Sequence, residues 1–343
     1  MNFFQPNTKN ELKEAINLWN NNRDYALIEY NHINTWNTSL ITDMSYLFYE
    51  TEFNDNINNW DTSNCINMEG MFYECENFNQ SINNWNTSKV INMSQMFSNC
   101  LEFNQPLNNW DVSKCINMES MFSDCIQFNQ SLNEWNTSNV LNMKKMFYKC
   151  KNFNQPLNNW NVSNVKNMNF MFSFCSKFNQ SLNNWNMKNV ENVDYMFNRC
   201  KKFNQSVNEW NLSNTSSING MFCGCTNFNQ PLNNWNVSNV KTMDNFLLNC
   251  NDFNQSINNW EHSSTISMKN MFRGCLNLNQ PFDKWNVSTI KNMEGMFYDC
   301  PKFNQSLNEW KISKFKKLSL FNEYELCNSE DDYLFNNDEY EFF

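Results

Sequence analysis

The sequence predicts an α/β chain wound as a right-handed succession of about twelve 25-residue coils, each with one short parallel strand and one short helix. Three observations predict it. Trp60, Trp85, Trp110 and each later Trp as far as Trp310 are 25 residues apart, and Trp36 precedes Trp60 by 24. Cys75, Cys100 and their successors to Cys300 keep the same beat. Within a coil, Met93, Met96, Phe97 and Cys100 fall at i, i+3, i+4 and i+7, one face of a helix.

The helix comes first in each coil. The residue before its leading Met is Asp43, Asn67, Asn92 or a later Asn, Ser or Thr, the types whose short side chain caps a helix N-terminus. The strand follows near Leu107 to Trp110, because Pro106, Pro156, Pro231 and Pro281 precede it and proline cannot donate to a sheet ladder. Asn79, Asn104 and their successors to Asn304 are invariant, as is the Gln after each. Amides carry both donors and an acceptor, so stacked copies are expected to satisfy turn backbone from coil to coil. In the first coil Glu50 stands in the slot assigned to Cys.

The ends depart from the pattern. Residues 1–35 read as a helical cap, with Leu12, Ala15, Ile16 and Trp19 at helical spacing and Thr8 and Glu11 as a capping box. Residues 36–310 hold the repeats, and 311–326 read as a degenerate closing coil. Residues 327–343 read as an acidic, aromatic, disordered tail.

The stretch NMSQMFSNCLEFNQPLNNWDVSKCINM, Asn92 to Met118, resembles the BspA-like leucine-rich repeats, in the 25-residue form of a mycoplasma-type protein of unknown function. The resemblance covers roughly Trp36 to Trp310. It implies a leucine-rich-repeat-like solenoid and a role in adhesion or protein binding. The chain departs from surface members of that family, since its N-terminus, MNFFQPNTKNELKE, has no basic-then-apolar leader. That departure favours a cytoplasmic protein.

Little in the sequence suits catalysis or a cofactor. His32 and His262 are far apart, and only Cys223 and Cys225 approach a metal-ligand spacing. Cys65 and Cys115 exchange with Val90 and Val140, which treats cysteine as a small hydrophobe and predicts reduced, buried thiols. No run reaches the roughly 18 apolar residues of a membrane span. The net charge of −10 disfavours nucleic acid.

Charge is uneven, however. Residues 144–202 hold ten basic and two acidic residues, a local +8 in a chain of net −10. Lys144, Lys145, Tyr148, Lys149, Phe170, Phe174, Tyr195, Arg199 and Lys202 occupy variable slots of three successive coils and are expected to share one convex face. Apolar patches rimmed by charge mark interaction sites. The resulting expectation is a non-enzymatic protein-interaction scaffold without a cofactor. A surface adhesin and a nucleic-acid binder are the alternatives.

Overall fold

Tight turns, not helices and strands, build the repeats. The computed structural model describes residues 4–322. Among them, α-helices occur only near the two ends: α1 (Lys9–Asn21), α2 (Arg23–Tyr30) and α3 (Lys314–Ser319). No strand is present among the described residues. Equivalent residues meet only in isolated parallel bridges, such as Asn67 with Asn92 and Asn92 with Asn117. The predicted α/β solenoid, with a strand and a helix in every coil, is therefore not formed.

Residues 68–75 show why, because every backbone N–H there can be traced. The N–H groups of Met71, Tyr73 and Cys75 donate three residues back, to the carbonyls of Met68, Gly70 and Phe72 at 3.3, 3.0 and 2.9 Å. Those of Met68, Gly70, Phe72 and Glu74 donate instead to Asn92, Ser94, Met96 and Ser98 at 2.8–2.9 Å. The N–H of Glu69 donates to Asn67 Oδ1 at 3.1 Å. A helix would send these donors four residues back. Here alternate donors leave the segment for the next repeat, so none is orphaned. Asn67 therefore closes a side-chain turn two residues long and caps no helix. Where the sequence suggests a strand at Leu107 to Trp110, the N–H of Trp110 turns back to the carbonyl of Leu107 at 3.2 Å.

This turn geometry has a strict backbone requirement. Gly70 (φ 54°) and Glu74 (φ 59°) are third residues of the turns Met68–Met71 and Phe72–Cys75, the position that a type II turn holds left-handed. The same two slots are left-handed again at Gln95 and Asn99, and at Asn245 and Asn249. All five glycines of the chain occupy such slots. Only glycine, and to a lesser degree Asn and Asp, enters this region without a cost of about 1–2 kcal/mol.

Side chains complete the packing in columns. Trp110, Trp135 and Trp160 stack at 6.5 and 6.4 Å between ring centroids. Each indole N–H donates to a carbonyl of the preceding repeat, as Trp110 does to Ile82 at 3.0 Å. Phe97, Phe122 and Phe147 form a second column at 5.6–5.7 Å. The column breaks at Leu247, and Phe246 meets Phe222 edge-on at 72° instead. The amide column also forms: Asn79 Oδ1 accepts from Asn104 N and from Gln105 Nε2, each at 3.0 Å.

The cysteines lie inside this stack. All thirteen described cysteines are unpaired and buried. Cys100 Sγ donates to the carbonyl of Phe72 at 3.0 Å, and its successors repeat the bond. Burial pushes their thiols well above the ordinary range. In the first repeat it is Thr51, not Glu50, that takes the Cys slot, with Thr51 Oγ1 3.6 Å from Cys75 Sγ. Glu50 is a left-handed turn residue (φ 53°), and the residue missing from the 24-residue spacing falls between Thr51 and Phe53.

At the N-terminal end, Thr8 caps α1 by accepting from Glu11 N at 3.2 Å. Leu12, Ala15, Ile16 and Trp19 are buried, and Trp19 packs edge-on against Trp36 at 6.0 Å. Trp19 Nε1 also donates to Asp55 at 2.8 Å, which ties the helix to the first repeat. The tail expected over 327–343 lies outside the described residues.

Candidate cation–aromatic site

Most of the residues singled out by charge come together, and they do so on the left-handed slots. Lys145 and Lys149, Phe170 and Phe174, and Tyr195 and Arg199 all have φ between 55° and 63°. In the next three repeats those slots hold Gly220 and Gly224, Asn245 and Asn249, and Asn270 and Gly274, whereas earlier repeats also place Tyr46, Glu50, Glu74, Gln95 and Ser120 there. Three consecutive repeats thus place large side chains where the backbone favours none.

Several of these side chains pack against their counterparts in the neighbouring repeat. Phe170 stacks on Tyr195 at 4.9 Å and 6°. Tyr148 meets Phe170 and Phe174 edge-on at 6.3 and 5.8 Å. Lys145 Nζ lies 5.5 Å from the Tyr148 ring centre and 5.8 Å from that of Phe170. Lys149 Nζ sits 5.2 Å from Tyr148, and the Arg199 guanidinium lies 5.2 Å from Phe174. Such cation–ring contacts contribute about 0.5–1 kcal/mol when partly exposed. The stack ends at Gly220 and Gly224. A Cβ on Gly220 would run into the Tyr195 ring, and one on Gly224 would come within 3.2 Å of Arg199 Cγ.

Two acids that the charge count missed edge this surface. Lys144 pairs with Glu119 at 2.9 Å, and Lys149 with Asp124 at 3.3 Å. Both acids come from the repeat before the basic stretch, so a window opened at residue 144 leaves them out. Lys202 is exposed, and no ring contact among the described residues includes it. Lys145, Tyr148, Lys149, Phe170, Phe174, Tyr195 and Arg199 are half-buried. Burial raises the Tyr148 hydroxyl above its ordinary value, with Lys149 opposing. Asp194 is raised by burial as well; its carboxylate accepts from Ser217 Oγ at 2.6 Å and Asn219 N at 2.9 Å.

A shallow groove of about 770 Å³ opens elsewhere, between two polar columns that include Asn229, Asn254, Asp252 and Lys302. His262 is buried in a column where Val237 and Val287 hold the slots before and after it, and among the described residues its Nδ1 has no hydrogen-bond partner. Among the described residues, no helix is long and apolar enough to cross a membrane.

The turns, columns and inter-repeat bonds define a class: a chain of 25-residue, turn-built repeats bonded in parallel. Residues 15–135, 117–235 and 216–332 match the family described as Mycoplasma protein of unknown function, DUF285, and the chain belongs to it. No curated protein and no solved structure matches. The family match carries no leucine-rich-repeat assignment, and the missing strands remove the BspA-like leucine-rich-repeat resemblance. The scaffold and its adhesin and nucleic-acid alternatives were read onto a strand-and-helix solenoid, and they fall with it.

Proposed function

We propose that this chain is a non-enzymatic binding protein that takes up an acidic, aromatic protein segment on the cluster formed by Lys145, Tyr148, Lys149, Phe170, Phe174, Tyr195 and Arg199. One observation carries the reading. In three successive repeats six of these residues, all large, hold left-handed slots that the next three repeats fill only with glycine and asparagine and the earlier repeats fill with a mixture that includes Tyr46, Glu74 and Gln95. Strain of this kind persists where the side chain has a use, and it gathers at ligand-binding positions. The chemistry of the cluster selects the partner: cations lie over ring faces, leaving carboxylates and further aromatic edges as complementary groups. The thiol-rich interior suits the reducing cytoplasm.

The test uses a labelled peptide of alternating glutamate and tyrosine, followed by fluorescence anisotropy. The full chain is expected to bind it, and Lys145→Glu with Arg199→Glu is expected to abolish binding while thermal unfolding stays cooperative. Equal binding by the two proteins would refute the site.

A further inference from the structure

The same chain carries a segment with the chemistry this cluster selects. Residues 323–343, EYELCNSEDDYLFNNDEYEFF, hold eight carboxylates, six aromatic rings and no Lys or Arg. We propose that residues 323–343 dock on the cation–aromatic cluster in cis and compete there with the protein partner. The inference rests on the binding reading above, because it assigns that site an internal occupant.

Reach permits it. From Arg199 the inter-repeat bonds run to Cys223, from Gly224 to Leu248, from Asn249 to Arg273, from Gly274 to Tyr298 and from Phe297 to Leu320. Five steps at a parallel-strand spacing of about 4.8 Å separate Arg199 from the end of α3 by roughly 24 Å. A segment of this length extends to roughly 70 Å at about 3.3 Å per residue, so its acids pass Arg199 and reach Lys145. Tethering also helps, since a ligand on the same chain meets its site at an effective concentration near the millimolar range.

Charge is complementary over the same stretch. Residues 144–202 carry a formal +8, offset in part by Glu119 and Asp124 at the edge, while the segment supplies Glu330, Asp331 and Asp332 in one run, followed by Tyr333 and Phe335. Arg199 over Phe174 and Lys145 between Tyr148 and Phe170 offer cation and ring together. Carboxylates alternating with aromatics meet both at once.

The experiment measures binding of the glutamate–tyrosine peptide to three full-length proteins: the natural chain, a variant with Glu330→Gln, Asp331→Asn and Asp332→Asn, and that variant with Lys145→Glu and Arg199→Glu added. Competition in cis predicts binding about tenfold tighter or more for the neutralised variant, and loss of binding for the third protein. Equal affinity of the first two, with loss in the third, overturns the internal occupant and leaves the site standing. Tighter binding that survives in the third protein places the segment on another surface and overturns the inference. Absence of binding in all three overturns the site and the inference with it.

Discussion

Residues 145–199 and residues 220–274 share one backbone and use it differently. In the first region the left-handed slots hold Lys145, Lys149, Phe170, Phe174, Tyr195 and Arg199; in the second they hold Gly220, Gly224, Asn245, Asn249, Asn270 and Gly274. The turns, inter-repeat bonds and Trp column continue through both. What differs is the surface above them. The quieter region shows what the turns ask for, and the other shows where the chain departs from it.

The largest effect tests the part the two regions have in common. Phe147→Ala removes one ring from a buried column and should destabilise by about 3–5 kcal/mol in chemical denaturation. Phe147→Leu should cost under about 1.5 kcal/mol. The chain itself places Leu247 in that slot, where neighbouring Phe246 supplies a ring. Equal costs for Ala and Leu would show that the column does not hold the repeats together.

Next in size is Gly220→Ala, at the border of the two regions. It meets left-handed backbone and the Tyr195 ring, and should cost at least about 1–2 kcal/mol. Gly274→Asn should be milder, since Asn270 and Asn249 already hold left-handed slots. Thermal unfolding of the two variants ranks them; the reverse order would break the comparison.

A pH-dependent effect separates the quieter region further. Burial lowers the pKa of His262 in the folded chain. The unfolded chain then binds a proton first, so stability is full above about pH 6.5 and falls as pH drops below it. His262→Val, which copies Val237 and Val287, should flatten the melting temperature between about pH 8 and pH 5. An unchanged slope would assign the loss to other groups.

The smallest effect falls on the cluster itself. Lys145→Ala should cost no more than about 1 kcal/mol, the scale of its partly exposed ring contacts, while weakening peptide binding. Losses of equal size at Lys145 and Phe147 would deny that one side chain faces solvent and the other the core.

The sequence displays the period, the columns and the coupling of like residues, because the Trp, Phe, Cys and Asn positions recur at fixed spacing. It does not distinguish a helix from two consecutive turns. Both put Met68, Met71, Phe72 and Cys75 on one side, and the difference lies in whether alternate N–H groups bond within the segment or to the next repeat. A hydrophobic stripe carries no information about that choice. A signal was present nonetheless: Gly70, Asn99, Gly220, Gly224, Asn245 and Gly295 fall on two slots per repeat, which a helix interior disfavours. The same slots would have separated Lys145 and Phe170 from Lys144 and Lys202, which charge alone groups together. Glu119 and Asp124 were hidden because a pair across repeats lies about 25 residues away in the chain.

The most direct measurement combines stability and binding in one variant carrying Lys145→Gly, Lys149→Asn, Phe170→Gly and Phe174→Asn. Relief of left-handed strain at four residues, about 1–2 kcal/mol each, is of the same order as the sum of the ring and cation–ring contacts removed, about 0.5–1.5 kcal/mol each. The melting temperature should change little while affinity for the glutamate–tyrosine peptide disappears. A lower melting temperature with affinity intact would contradict the account.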